Sequence, residues 1–195
     1  MRRIVFVAGC VLVAILALGA AVAPSVISKL QSERVEERVK AREEILESRR
    51  LLIDKLIELA GEDRPGLDED RTVWGDSKHV SILLLGELRA TEGVDVLLDN
   101  LTYRNTWDPS GYYPWAVYPA LEALVKIGMR GIPGALERLK TSQDEREREN
   151  CYWLVRGGLG VETGRFAIAT AMQDERDPER KSRLEAALKK WFPEP

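Results

Sequence analysis

The stretch YPALEALVKIGMRGIPGALERL, residues 118–139, decides the fold because it places two apolar helical segments around a glycine-containing break. Gly128 and Gly131 interrupt the apolar pattern, and glycine is unfavourable inside a helix. After this break, four apolar residues follow the i, i+3, i+4, i+7 spacing of one helical face: Ile132, Ala135, Leu136 and Leu139. The stretch therefore predicts a helical hairpin with an apolar face on each helix.

The hairpin pattern also occurs upstream at a nearly constant offset. The second-helix face recurs 38 residues earlier, beginning at Val94. Apolar residues of the two first helices match at an offset of 39 residues: Ile82 with Leu121, Leu85 with Leu124, and Leu88 with Ile127. Because a repeated unit buries its apolar face against its neighbours, these matches predict a stack of helical hairpins.

A third, less regular unit and an end helix follow. Arg146–Val155 is predicted as the first helix of this unit, Gly157–Gly160 as its break and Thr163–Met172 as its second helix. The last helix begins with Asp177 as its N-cap and Pro178 at its first helical position, the places these residue types prefer. Such an amphipathic end helix is what a repeat array needs to shield its core from water.

Residues 1–23 are predicted to be a signal peptide or a membrane anchor. Arg2 and Arg3 precede Ile4–Ala23, a run of twenty uncharged residues. As a helix this run would span about 30 Å, enough to cross the hydrocarbon core of a bilayer. Ala21–Ala23 has the small-residue pattern of a cleavage site, so cleavage and retention as an anchor both stay open.

The orientation of the chain has two interpretations. Basic residues downstream of the apolar run, Lys29 and Arg34 among them, would keep the body cytoplasmic under the positive-inside rule. We nevertheless predict a membrane-anchored or secreted chain with an extracytoplasmic body, because the segment resembles an export signal so closely.

Residues 24–60 are predicted as a charged helix or stalk, because no proline or glycine lies between Lys29 and Ala60. Its second half is apolar enough to dock on a core. A homodimer through residues 30–60 is an alternative, since four apolar residues recur every seven positions: Val39, Leu46, Ile53 and Ala60. Arg42 and Arg49 occupy the alternate seam positions, which argues against a coiled coil.

The segments PALEALVKIG, 119–128, and GIPGALERL, 131–139, resemble HEAT-like repeats, including the short repeats of phycobilin-lyase type. The resemblance covers roughly residues 77–172 and implies antiparallel helix pairs stacked into a curved superhelix. We therefore predict an all-α, short α-solenoid over 77–195 with a C-terminal capping helix, preceded by a loop at 61–76. HEAT-like repeats mostly act as binding scaffolds, and the motif has no catalytic signature to transfer.

Composition excludes several classes of function. The formal net charge is −3, which does not suggest a nucleic-acid binder. The chain has one histidine, His79, and two cysteines, of which only Cys151 lies outside the N-terminal apolar run. We interpret His79 as a structural or surface residue and Cys151 as a buried small residue, and we predict no metal site, no cofactor and no catalytic residues.

The connector between the two regular units is the predicted binding site. Its sequence YRNTWDPSGYYPW, residues 103–115, is long for a connection inside a helical stack. Tyrosine and tryptophan suit recognition surfaces because they offer a large contact area with few rotatable bonds. Four aromatic residues are the candidates: Trp107, Tyr112, Tyr113 and Trp115. The alternative is that this loop folds back and its aromatic rings cover the hairpin ends.

The chain is thus predicted to be a non-catalytic protein-interaction scaffold that binds a protein partner, with a membrane contact through residues 4–23 if these are retained. A small-ligand-binding or lyase-type HEAT-like enzyme is the alternative implied by the resemblance.

Overall fold

The computed structural model describes Lys29 and residues 34–62, 77–104 and 117–192. These residues form eight α-helices and include no strand, which confirms the all-α class. The helices are α1 Val35–Gly61, α2 Ser77–Glu87, α3 Val94–Asp99, α4 Pro119–Ile127, α5 Ile132–Thr141, α6 Glu145–Leu159, α7 Val161–Asp174 and α8 Pro178–Trp191. Within the described ranges, no helix has the length and apolar character needed to span a membrane. The predicted signal or anchor segment, residues 1–23, lies outside them.

The helices pack in two rows around one core. The first helices of the hairpins, α2, α4 and α6, lie side by side, and α3 contacts α5 in the second row. At one end α1 packs on α2 and α3, and at the other α8 packs on α7 and α5. The core between the rows is aliphatic, with fully buried leucines from successive helices: Leu56, Leu85, Leu97, Leu121, Leu124, Leu139 and Leu154.

Local chemistry explains where α8 begins, but it does not explain where α6 ends. The side chain of Asp177 accepts hydrogen bonds from the backbone of Glu179 and Arg180, which confirms it as the N-cap of α8. The predicted break at Gly157–Gly160 is wrong in extent, because α6 continues to Leu159 and only Gly160 interrupts it. Gly158 stays helical where it packs closely on Ile132, so tertiary contact outweighs the low helix propensity of glycine.

Short turns join the two helices of each hairpin, and their geometry repeats. Each turn contains one residue with a positive φ: Arg89 at 48°, Gly128 at 86° and Gly160 at 80°. Arg89 and Gly128 are 39 residues apart, which is the offset of the first helices. Leu88 was expected to face the core, but α2 ends at Glu87 and the turn at Arg89 leaves Leu88 exposed.

The molecule has two opposite edges, formed by the two sets of helix ends. The turn edge carries the short turns 88–93 and 128–131 and Gly160, where the two helices of each hairpin meet. The loop edge carries the C-terminal ends of α1, α3 and α5 and the N-terminal ends of α2, α4 and α6. All connections between successive hairpins therefore emerge at the loop edge.

Buried asparagine side chains donate to carbonyl groups at the loop edge. The last carbonyl groups of a helix have no partner within that helix and need an external donor. Asn100 Nδ2 donates to the Ala60 carbonyl at 3.1 Å, and Asn150 Nδ2 donates to the Leu101 carbonyl at 2.7 Å. Both asparagines are buried; the first bond joins α1 to the end of α3, and the second joins the segment after α3 directly to α6.

Replacing Asn150 by alanine is expected to lower the free energy of unfolding by about 1–3 kcal/mol, because a buried carbonyl loses its donor. Urea unfolding followed by circular dichroism measures this loss. The matched control is Gln143→Ala, which removes an exposed amide from the α5–α6 connection and should change stability by no more than about 0.5 kcal/mol. Equal effects of the two substitutions would show that the Asn150 hydrogen bond does not hold the layers.

Ion pairs also join the two regular hairpins. Lys126 Nζ of α4 lies 2.5 Å from Glu87 Oε1 of α2, and Arg138 of α5 pairs with Asp99 of α3. Arg138 is partly buried, which alone would lower its pKa, but hydrogen bonds with Glu147 and Asp99 raise the pKa overall. Ion pairs therefore hold neighbouring helices together in both rows.

The first helix divides into a docked half and a projecting half. Ile53, Leu56 and Ala60 are buried in the core, as expected from the apolar second half, whereas Val39 and Leu46 are exposed. Two of the four residues spaced every seven positions are therefore used in packing within the chain. A dimer seam along this helix would have to form without them, and the homodimer stays a prediction.

Candidate functional site

The two longest connections between the described helices begin and end at the loop edge. Residues 63–76 connect α1 to α2, and residues 105–116 connect the end of the first hairpin to α4. Their flanking residues are held together by Lys78, whose Nζ donates to the Glu62 carbonyl at 2.8 Å. The same Nζ lies 5.1 Å from the centre of the Tyr103 ring, within the range of a cation–π contact.

Lys78 is 7 % exposed, and its position was not anticipated from the sequence. A cation is unfavourable at the N-terminus of its own helix, α2, but the C-terminal end of α1 attracts positive charge. Lys78 meets that end of α1 at Glu62, so its ammonium group lies in a favourable field. In the sequence, Lys78 lies at the start of an apolar helix. A lysine in that position would ordinarily be assumed to be exposed.

The four candidate aromatic residues, Trp107, Tyr112, Tyr113 and Trp115, lie outside the described residues. Their assignment as a binding site therefore stays a prediction, as does the alternative that they cover the hairpin ends. The structure describes the first residue of the connector, Tyr103, and the residues Val117 and Tyr118 that follow it, and all three are buried. The residues at both ends of the connector therefore belong to the core.

The prediction that Cys151 is buried is confirmed, and the burial of His79 is that of a residue inside the fold rather than at its surface. His79 is almost completely buried in α2, and Cys151 is completely buried in α6. Burial, and secondarily the charge of Glu147, raises the pKa of the Cys151 thiol far above its ordinary value, against a smaller opposing effect of Arg138. A thiol that stays protonated is a poor nucleophile, so Cys151 serves packing.

Near the loop edge, charged side chains join helices through ion pairs and hydrogen bonds. Glu147 contacts Arg138 Nη1 at 2.6 Å and accepts a hydrogen bond from Ser142 Oγ at 2.5 Å. Lys140 bridges Glu137 at 2.9 Å and Glu175 at 3.2 Å, joining α5 to the segment before α8. Within the described ranges, no group of His, Cys, Asp or Glu side chains is arranged to hold a metal ion. Three consecutive acidic residues of the sequence, Asp68, Glu69 and Asp70, lie outside these ranges.

The turn edge carries a second surface that sequence reasoning missed. Exposed apolar side chains occur at or near all three turns: Leu88, Met129, Val161 and Phe166. Exposed arginines are neighbours of three of them in the chain: Arg89, Arg130 and Arg165. In the sequence, a Leu-Arg pair follows α2 and a Met-Arg pair follows α4. Only the observed ends of α2 and α4 show that these residues point outward.

Comparisons with protein-family models, with curated proteins and with solved structures found no match to this chain. No family is therefore assigned by similarity. The HEAT-like resemblance rests on the internal repeat of this sequence.

Proposed function

We propose that this chain is a non-catalytic scaffold that binds a protein partner at its loop edge, on a short HEAT-like helical stack. The stack is supported by the apolar faces, which recur after 39 residues in the first helices and 38 in the second, and by the 39-residue spacing of the turn residues Arg89 and Gly128. Residues 1–23 export the body or tether it to a membrane, which places the scaffold on the extracytoplasmic side.

The observation that carries the binding proposal is that the residues at both ends of the connector are buried. Tyr103 and Tyr118 fix its two ends in the core, and Lys78 joins its first anchor to the end of the neighbouring connector at Glu62. A loop that is held at both ends loses less conformational entropy on binding than a free one. With Trp107, Tyr112, Tyr113 and Trp115 in it, the connector combines large contact surfaces with restrained ends.

The test is a crosslinking pull-down from native membranes, analysed by mass spectrometry, with the wild-type chain and a connector variant. The variant replaces all four aromatic residues by alanine: Trp107, Tyr112, Tyr113 and Trp115. We expect it to lose about tenfold or more of the partner recovered by the wild type, because aromatic anchors dominate binding energy. Circular dichroism establishes that the variant remains helical.

The control for the pull-down is Leu51→Ala, which removes an exposed apolar side chain of α1 that belongs to neither candidate surface. Partner recovery should be unchanged in this control. Recovery that is equal for the wild type and the connector variant would refute the site. A visible absorbance band that co-purifies with the wild-type chain would instead favour the small-ligand or lyase-type alternative.

A further inference from the structure

The projecting half of α1 stands above the turn edge. Its 27 residues make α1 about 40 Å long, whereas the 11 residues of α2 span about 16 Å. The two helices are level at the loop edge, where Lys78 donates to the Glu62 carbonyl. At the other edge, the contact of Arg49 with Glu92 at 3.0 Å places Arg49 level with the first turn. Residues 35–48 therefore project about 20 Å beyond that turn.

The apolar side chains of the projecting half face the same side as those of the docked half. Seven residues turn a helix by nearly two full turns, so Leu46 points within about 20° and Val39 within about 40° of the direction of Ile53. Ile53 is buried in the core. Val39 and Leu46 are exposed because α2 ends at Glu87, below their level. These two side chains therefore overhang the turn edge.

The overhang and the first turn together form a seat for one more helix. Val39 and Leu46 of α1 are its wall, and Leu88 and Arg89 are its floor; all four side chains are exposed. Packed helices lie about 8–10 Å apart, and α2 packs on α1 directly below this seat. A helix in the seat would therefore continue the line of α2 and contact α1 over about 14 residues.

The two flanks of the wall carry opposite charges. By the helical period, one flank of the apolar stripe is basic, with Arg42 and Arg49, and the other is acidic, with Glu36 and Glu43. Arg42, Glu36 and Glu43 are exposed and form no ion pair with the described residues. Charges that flank the apolar stripe of a helix select its partner and its orientation. The wall therefore fits a helix with carboxylates on one flank and basic side chains on the other.

The floor sets the direction of that helix. Arg89 is exposed at the first turn and forms no ion pair with the described residues. The nearby carboxylate of Glu87 is held by Lys126 at 2.5 Å. Because the C-terminal end of a helix carries partial negative charge, a cation stabilises it. A helix in the seat therefore runs parallel to α1, with its C-terminal end beside Arg89.

A second copy of α1 fits this seat poorly in either direction. Parallel pairing about a two-fold axis would match the flanks, but it would place both bodies in the same space below the turn edge. Antiparallel pairing avoids this overlap but sets like flanks against each other. Arg42 would lie beside Arg42 of the second copy and Glu43 beside its Glu43, and like charges at flanking positions are unfavourable. The observations therefore favour a helix of another protein.

We propose that the seat binds an amphipathic helix of a partner protein, about four turns long. The apolar stripe of this helix is flanked by acidic residues on one side and by basic residues on the other. The stripe packs on Val39 and Leu46, the acidic flank faces Arg42, and the C-terminal end lies on Leu88 and Arg89. The seat and the connector lie at opposite edges, so this proposal does not rest on the partner proposed for the loop edge.

The test is photo-crosslinking with the full chain expressed in its native host. The crosslinker p-benzoylphenylalanine is placed at Leu46, in the seat, or at Leu51 as the matched control. These residues are 47 % and 52 % exposed, but Leu51 points about 140° away around α1. We expect an adduct with another protein from position 46 and not from position 51. Mass spectrometry of the crosslinked peptide should identify a segment with the stated apolar stripe and charged flanks.

The charge pattern is tested by Arg42→Glu with Arg89→Glu, which leaves the apolar wall unchanged. We expect the yield of the adduct at position 46 to fall about fivefold or more, because like charges then face each other. The control is Arg176→Glu with Lys181→Glu, which makes the same change in net charge at two exposed residues near the start of α8. This control should leave the yield unchanged. Equal yields from the two variants would overturn the proposal.

Other adducts from position 46 would identify other occupants. An adduct with a second copy, with another part of the same chain or with lipid would overturn the proposal, and so would the absence of any adduct. A captured segment without the stated charge pattern would do the same. The pull-down with the connector variant tests the loop edge alone. Unchanged partner recovery there would refute the connector site and leave the seat standing.

Discussion

Replacing Leu56 by alanine is expected to lower the free energy of unfolding by about 2–5 kcal/mol. Leu56 is 1 % exposed and packs in the core from the second half of α1, beside Ile53 and Ala60. Truncation removes buried methyl groups and leaves a cavity that the surrounding helices fill only in part. A loss of this size is a large fraction of the stability of a small domain, which is typically about 5–15 kcal/mol.

The control is the same substitution ten residues earlier in the same helix. Leu46 is exposed, so Leu46→Ala should change stability by no more than about 0.5 kcal/mol. Both variants are measured by urea unfolding, followed by circular dichroism at several protein concentrations. If Leu46→Ala were as destabilising as Leu56→Ala and its effect depended on concentration, the projecting half of α1 would be part of a dimer.

Gly86→Ala is expected to destabilise the protein by about 1–3 kcal/mol, although alanine is the better helix former. Gly86 lies where α2 crosses α4, and a β-carbon placed on it would be 2.6 Å from the Ala123 Cα atom. The backbone of α4 cannot move away without separating the two helices along their whole contact. The free energy of unfolding from urea titration, compared with that of the wild type, measures the effect.

Gly134→Ala is the matched comparison, because Gly134 also lies inside a helix and faces a neighbouring one. A β-carbon there would meet the end of the Leu98 side chain, which can change rotamer. We expect this variant to lie within about 1 kcal/mol of the wild type, since gained helix propensity offsets part of the repacking. If Gly86→Ala were as mild as Gly134→Ala, the close approach of α2 and α4 would not limit the fold.

The helical class and much of the helix order could be predicted because they depend on spacing within short segments. The face at Ile132 to Leu139 needs only the helical period, and the N-cap at Asp177 needs only a side chain and the next backbone groups. The break predicted at Gly157–Gly160 is wrong in extent because it was inferred from local propensity alone. Glycine propensity is a local property, whereas the contact of Gly158 with Ile132 joins two helices.

The surroundings of the candidate site could be predicted only in part. Aromatic composition marked the connector, but its anchoring depends on Tyr103 and Tyr118 being buried by helices that lie far apart in the sequence. The burial of Lys78 could not be predicted from the sequence. Its burial results from the end of α1 arriving beside the start of α2, and a charge pattern along one helix contains no information about that meeting.

By itself, the sequence determined an all-helical chain, a repeat offset of 38 to 39 residues and the residues able to cap or break helices. Tertiary structure decided that half of α1 belongs to the core, that Lys78 is buried and that Met129 and Phe166 are exposed. The physical reason is that periodicity fixes which side chains share a helical face. Whether that face is covered depends on which distant helix packs against it and on where each helix ends.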